Sequence, residues 1–128
     1  MKSIIFAIFT LFSITSCFSQ NVVFGPEISL GQEIYDFGKV KLSSDTLVAN
    51  FYFKNSGNDT LLIEDVKPGC GCTVASFPTE PILPGTGSVI VLKYFRNTEG
   101  VINKSATIHS NAVTNPYLVI RLMGEVVK

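Results

Sequence analysis

The stretch LVANFYFKN, residues 47–55, alternates between apolar side chains and side chains that are polar or carry a polar end. In an extended chain, Ala49, Phe51 and Phe53 all point to one face, because successive side chains of a strand point to opposite faces. An aromatic-rich alternation with a period of two is typical of a half-buried β-strand. This stretch therefore predicts that the core is built from strands.

Further strand signals lie on both sides of this stretch, and no part of the sequence after the N-terminus shows helical periodicity. Turn-forming residues separate them, such as the cluster at 55–59 and the Pro84-Gly85 pair. The other predicted strands are 27–30, 34–40, 60–66, 87–95, 101–109 and 117–127. We expect 60–66 to lie beside 47–55, because the connection between them is short. About seven short strands predict an all-β, immunoglobulin-like sandwich, with a barrel as the alternative.

The N-terminus has the order of a secretory signal peptide: Lys2, then a largely apolar stretch at 4–14, then small and polar residues. The apolar stretch is shorter than the roughly 17 to 25 residues of a membrane-spanning helix. Cleavage after Ser19 would leave a soluble protein, with residues 1–19 as the signal peptide. Alternatively, the lipobox-like sequence ending at Cys17 predicts removal of residues 1–16 and lipidation of that cysteine. Both alternatives predict export to the periplasm or the exterior. The mature protein would be soluble in the first case and anchored as a lipoprotein in the second.

We expect an N-terminal segment at residues 20–33 and the sandwich domain at 34–128. Loss of residues 1–19 removes one base, Lys2, and no acid, which leaves nine basic against ten acidic side chains. This balance argues against nucleic acid as the partner. The sequence instead favours a protein partner, with membrane contact only through a lipid on Cys17.

The sequence PGCGCT, residues 68–73, carries the chemistry that the sequence offers. In an oxidising compartment, Cys70 and Cys72 are expected to form a disulfide. A bridge between residues two apart closes a very small ring, so we expect it to be strained and readily reduced. Gly69 and Gly71 permit a tight turn of left-handed conformation, and Thr73 completes the motif.

Three alternatives to a structural bridge stay open for this cysteine pair: thiol exchange, capture of Cu(I) by two thiolates, and an intermolecular crosslink. A structural zinc site is disfavoured, because the pair and the single histidine, His109, fall short of four ligands. His109 is interpreted as a polar residue at the end of a strand.

Several motifs together resemble the DUF1573 family, and the resemblance covers nearly all of the predicted domain. The motifs are Tyr35–Gly38, Phe51–Gly57, Asp65–Val74 with its Cys-Gly-Cys-Thr core, Ile82–Gly85, Ser110-Asn111 and Gly124. The resemblance implies an exported bacterial domain, of a kind abundant in Bacteroidota and Planctomycetota, with an architecture similar to the ASH and major sperm protein domains. It implies a fold and a location but no activity.

The sequence predicts no enzyme, no catalytic residues, no metal site and no cofactor. It lacks a Gly-x-Ser-x-Gly elbow, a phosphate-binding loop and a second histidine. The leading interpretation is an interaction or structural module of the cell envelope or the exterior, with Tyr52 and Tyr94 as outward-facing anchors. The alternative function is a periplasmic thiol-exchange or Cu(I)-handling protein that acts through Cys70 and Cys72.

Two Asp-Thr-Leu tripeptides, at 45–47 and 59–61, match a short pattern for O-glycosylation. They make Thr46 and Thr60 candidate acceptors, in or beside turns where a sugar is tolerated.

Overall fold

The structure is a computed structural model that describes Ser16 and residues 24–128. Except for Ser16, the predicted signal peptide lies outside the described residues, and so does the lipidation candidate Cys17. No helix in the described part of the chain is long and apolar enough to cross a membrane.

The described residues form eight β-strands and no helix, which confirms the all-β prediction. The strands are β1 (Ile28–Leu30), β2 (Ile34–Lys41), β3 (Thr46–Asn55), β4 (Ile63–Pro68), β5 (Thr73–Ser76), β6 (Gly87–Phe95), β7 (Gly100–Ser110) and β8 (Tyr117–Val127).

Two four-stranded sheets make up the predicted sandwich. Sheet A has the strand order β1-β3-β6-β5, and sheet B has the order β2-β8-β7-β4. Neighbouring strands are antiparallel, apart from β2 and β8, which run parallel. The edge strands are therefore β1 and β5 in sheet A, and β2 and β4 in sheet B.

The core lies between the sheets and consists of every second residue of the central strands. Phe51 reaches it from β3, Leu92 from β6, Ile108 from β7 and Ile120 from β8, and all four side chains are fully buried. Burial of each such side chain contributes roughly 1.5–3 kcal/mol of hydrophobic free energy. The alternation predicted for residues 47–55 is confirmed, since Ala49, Phe51 and Phe53 are buried and the residues between them are exposed.

The predicted pairing of 47–55 with 60–66 is wrong, because β3 and β4 belong to different sheets. The segment between them crosses the sandwich, and Leu61 within it bridges to Ile82. Buried Asn55 holds this crossing: its Nδ2 donates to the carbonyl oxygens of Asp59 at 2.7 Å and Ile82 at 2.9 Å. The turn-forming residues marked the end of β3, but they do not specify to which sheet the chain continues.

The structure adds one strand, β5, and moves one boundary. The sandwich does not begin at residue 34, because β1 pairs with β3 at Leu30↔Phe53 and so belongs to sheet A. The chain is already tied to the domain at Gly25, whose N–H donates to the Asn58 side chain at 2.7 Å. The segment that we separated from the sandwich therefore supplies one of its edge strands.

Candidate functional site

Cys70 and Cys72 lie in the loop that carries the chain from β4 to β5, which is from an edge of sheet B to an edge of sheet A. Their sulfur atoms are 2.06 Å apart, at the distance of a disulfide bond, as the sequence predicted. The Cα atoms are 5.4 Å apart, which lies within the usual range of about 4.4–6.8 Å for disulfides. The Cα separation therefore does not depart from the ordinary range in the way we expected.

Backbone hydrogen bonds hold both ends of this loop. Gly69 N–H donates to the carbonyl oxygen of Ser105 at 2.8 Å, and Phe95 N–H donates to that of Cys72 at 3.0 Å. The expected left-handed turn at Gly69 and Gly71 is wrong, since neither residue has a positive φ. Gly69 instead continues the pairing of β4 with β7. The tight turn follows at Gly71 and Cys72, where Thr73 N–H lies 3.4 Å from the carbonyl oxygen of Cys70.

Thr73 places a polar side chain against the bridge. Its Oγ1 lies 3.7 Å from Sγ of Cys70 and 4.0 Å from Sγ of Cys72, and the residue is buried. A disulfide sulfur carries no hydrogen, so the threonine hydroxyl is the donor, and its one hydrogen is directed at one sulfur or shared between the two. The motif therefore places a buried O–H group against the bridge.

Arg96 is a cation beside the loop that sequence inspection missed. It follows Phe95, the residue whose N–H holds Cys72, whereas the nearest cation along the sequence is Lys67. The Nε atom of Arg96 is buried and has no hydrogen-bond partner among the described residues. Arg96 and Cys72 are far apart in sequence, and only the pairing of β5 with β6 brings their segments of the main chain together.

His109 does not join the cysteines. It pairs with Asp65 across β4 and β7, whereas the cysteine loop follows the other end of β4. Its Nε2 lies 3.1 Å from Oε2 of Glu64, and its ring stacks on Tyr117 with centroids 4.4 Å apart. Within residues 24–128 no cluster of three or more His, Cys, Asp or Glu side chains is arranged to hold a metal ion. The Cu(I) alternative would therefore rest on the two sulfurs alone, in reduced form.

The outer face of sheet A carries an exposed apolar surface, which we call the Tyr52 face. Tyr52 lies at the centre of this surface, and 64% of the residue is exposed. A shallow depression flanks it on the side of Gly31 and another on the side of Val89. Its other exposed apolar members are Val48, Val74 and Phe95.

Tyr94 does not belong to this face, so its assignment as an outward anchor is wrong. It is only 8% exposed, because it shares the inward side of β6 with Ile90 and Leu92. The prediction for Tyr52, on the outward side of β3, agrees with its placement.

One edge beside the Tyr52 face is open. The carbonyl oxygen of Tyr52 accepts a hydrogen bond from Gly31 N–H at 2.9 Å, so its main chain faces β1. Val48 and Asn50 direct their N–H and C=O groups to the same side, because these groups alternate along an antiparallel strand. β1 ends at Leu30, and no described residue pairs with β3 on this side before Tyr52.

The charges on sheet A are all positive. Its strands contain Lys54 and Lys93 and no acidic residue. Lys93 pairs with Val48 on one side and with Val74 on the other, so it lies within the Tyr52 face. Of the glycosylation candidates, Thr46 begins β3 and pairs with Phe95 of the Tyr52 face, whereas Thr60 lies in the crossing between the sheets. Both are partly buried.

Comparison with known families gives one match that spans most of the chain. The family model described as "Protein of unknown function (DUF1573)" matches residues 28–126. The chain belongs to the DUF1573 family. The match begins at the first residue of β1, so the family domain includes the strand that we had placed outside the sandwich. No curated protein matches the sequence significantly.

Solved structures share the fold of this DUF1573 domain. A protein of unknown function from Porphyromonas gingivalis W83 has a TM-score of 0.69 at 17% identity, over 84% of this chain and 50% of that one. PapD-like domain 7 of human CEP192, described as ASH / PapD-like, has a TM-score of 0.60 at 10% identity, over 80% of this chain and 86% of that one. These similarities establish an immunoglobulin-like sandwich of the kind predicted.

A secreted serine protease, VesC from Vibrio cholerae, also shares the fold, with a TM-score of 0.59 at 15% identity. The match covers 78% of this chain but only 23% of VesC. The DUF1573 chain likewise spans only half of the Porphyromonas gingivalis protein. At these identities the likeness concerns the fold alone, so the activities of these larger proteins do not transfer.

Proposed function

We propose that this DUF1573 domain is a non-catalytic protein-binding module of the cell envelope or the exterior, which takes up an extended segment of a partner along β3. The observation that carries the proposal is the open edge of β3 beside the Tyr52 face. An extended peptide that joins a sheet edge gains affinity from backbone hydrogen bonds and specificity from pockets for alternate side chains.

The edge and the face lie where one added strand would use both. The N–H and C=O groups of Val48 and Asn50 would pair with the backbone of the incoming segment, in the place where β1 has ended. Every second side chain of that segment would then lie over the outer face of sheet A. Tyr52, exposed between two depressions, is the aromatic anchor that such an interface favours.

The charge of sheet A indicates the chemistry of the partner. The strands of this sheet carry Lys54 and Lys93 without a compensating carboxylate. Complementary charge guides association and excludes unsuitable partners. We therefore expect an extended segment with apolar residues at alternate positions and at least one acidic side chain.

Two further observations support a module over an enzyme, and a third supports a place outside the cytoplasm. The family model is that of a protein of unknown function and indicates no reaction. His109, the single histidine, contacts a carboxylate and an aromatic ring on the outer face of sheet B. The N-terminal sequence has the pattern of a secretory signal, which supports export.

Site-specific photo-crosslinking in the native cells tests the proposal. Benzoylphenylalanine replaces Tyr52 in one strain and Tyr117 in a control strain. The control is matched, because Tyr117 is 63% exposed and lies on the outer face of the other sheet. The crosslinked segments are then identified by mass spectrometry and synthesised for direct binding measurements.

We expect a defined adduct from position 52 and not from position 117. The captured segment should be apolar at alternate positions with an acidic residue, and its synthetic peptide should bind the purified protein. Equal adducts at both positions, or none at position 52, would contradict the proposal. An adduct formed solely with a second copy would also contradict it, since the face would then be a self-association surface.

A further inference from the structure

The disulfide loop supports a second function, which does not depend on the partner site of β3. We infer that Cys70–Cys72 is an exchange-competent disulfide that accepts two electrons from a protein dithiol, and that the Thr73 hydroxyl stabilises the thiolate released in that exchange. The observation that carries this inference is that, among the described residues, the buried Thr73 hydroxyl has no side-chain hydrogen-bond partner other than these two sulfurs.

A hydroxyl directed at a disulfide has a weak acceptor, whereas the same hydroxyl directed at a thiolate has a charged one. Hydrogen bonds to charged groups are about twice as strong as neutral ones. The contact therefore stabilises the reduced, ionised form more than the closed bridge.

The two sulfurs differ in their surroundings, which assigns their roles. Cys72 packs against the hydrophobic core, whereas Cys70 does not. Gly71 between them is exposed, and the space where its Cβ would stand is empty to a distance of 4 Å. An incoming thiolate therefore reaches Cys70 more easily, and Cys72 is the leaving group, with Oγ1 of Thr73 at 4.0 Å from its sulfur.

The exchange balances as two consecutive substitutions at sulfur. A partner thiolate attacks Sγ of Cys70, the bond between Cys70 and Cys72 breaks, and Cys72 leaves with the electron pair as a thiolate. The second partner thiolate then attacks the partner's own sulfur in the mixed disulfide, which releases Cys70 as a thiolate. The partner ends as a disulfide, and the two cysteines of this chain take up the two protons that the partner thiols lost.

The fold allows this cycle without unfolding. The hydrogen bonds of Gly69 and Cys72 to β7 and β6 hold both ends of the loop and do not involve the sulfurs. With the bridge open, the two thiols remain two residues apart in a held loop, so the bridge can form again at a high effective concentration.

The test follows native-state reduction of the complete exported chain by reduced glutathione, with alkylation and intact-mass analysis over time. Glutathione should form its adduct on Cys70, and reduction should proceed while the protein stays folded. The variant Thr73→Val should be reduced about tenfold more slowly, the factor that corresponds to loss of a hydrogen bond to a charged group. Thr73→Ser should retain the original rate, as should the control Thr107→Val, whose side chain has no hydrogen bond to either sulfur.

Three results would overturn the inference: reduction only on unfolding, an adduct on Cys72, or equal rates for Thr73→Val and the original protein. If Thr73→Val fails to fold, the adduct position and the rate of the original protein still decide between an exchange site and a purely structural bridge.

Discussion

Asn55 is the side chain that holds together three segments at one end of the sandwich. Besides donating to the carbonyl oxygens of Asp59 and Ile82, its Oδ1 accepts from Gly57 N–H at 3.0 Å. The residue is fully buried, and its removal takes away all three hydrogen bonds, although the Ile82 carbonyl oxygen keeps the one it accepts from Leu61 N–H. A polar residue at the end of an alternating strand was visible in the sequence, but its partners depend on the crossing between the sheets.

We predict that Asn55→Ala lowers the free energy of unfolding by about 3 kcal/mol, because three hydrogen bonds are lost and each contributes about 0.5–1.5 kcal/mol. Urea denaturation measures this change. The control is Asn50→Ala, at an exposed position of the same strand, which should change stability by less than about 0.5 kcal/mol. Equal effects of the two substitutions would refute the assigned role of Asn55.

Gly57 and Gly71 give a second comparison at the scale of single residues. A Cβ on Gly57 would lie 2.1 Å from the carbonyl oxygen of Gly25, whereas one on Gly71 would meet nothing within 4 Å. We predict that Gly57→Ala destabilises the protein by at least about 2 kcal/mol, since backbone atoms must move. Gly71→Ala should be neutral within about 0.5 kcal/mol. Thermal unfolding of both variants decides this, and a neutral Gly57→Ala would contradict the packing described.

At the scale of an element, we expect the disulfide bond of the loop to contribute little to the free energy of unfolding. In the chain-entropy model, a bridge across three residues constrains the unfolded chain by less than about 2 kcal/mol. We predict that the double variant Cys70→Ser, Cys72→Ser loses no more than this amount and stays folded. Ile108→Ala, in the strand beside β4, should lose about 2–5 kcal/mol, because it leaves a cavity in the core. Chemical denaturation compares the two, and a loss from the cysteine variant as large as that from Ile108→Ala would contradict this account.

Strands of nine or more residues were predictable from the sequence, since their alternation is long enough to establish a period. β3, β7 and β8 follow the predicted segments within a few residues. β5 has only four residues, Thr73–Ser76, and its pairing with β6 comes from distant parts of the chain. The inward position of Tyr94 followed from the alternation of Ile90 and Leu92 along β6, but the amphipathic character of tyrosine concealed it.

At the scale of the whole molecule, one candidate site could be predicted from the sequence and the other could not. The cysteine motif was predictable, because its chemistry and its spacing lie in consecutive residues. The open edge of β3 was not, since an edge exists only once the strand order is known. The same holds for Arg96, which β6 brings to the loop.

We predict that Tyr52→Ser weakens binding of the captured partner segment at least tenfold, since aromatic anchors contribute about 2 kcal/mol or more. The stability of the protein should change by less than about 0.5 kcal/mol, because the side chain is exposed. Tyr117→Ser, matched in exposure, should leave binding unchanged. Titration calorimetry of the three proteins with the segment measures this, and similar losses for both variants would argue against a specific role for the Tyr52 face.

Amide hydrogen exchange of the protein, followed by NMR with and without the captured segment, tests the central claim most directly. Strand addition predicts that the amides of Val48 and Asn50 exchange rapidly in the free protein and become protected in the complex. The amides of the sheet B edge at β4 should not change. Protection that leaves Val48 and Asn50 unaffected, or that appears only on sheet B, would show that the partner does not bind along β3.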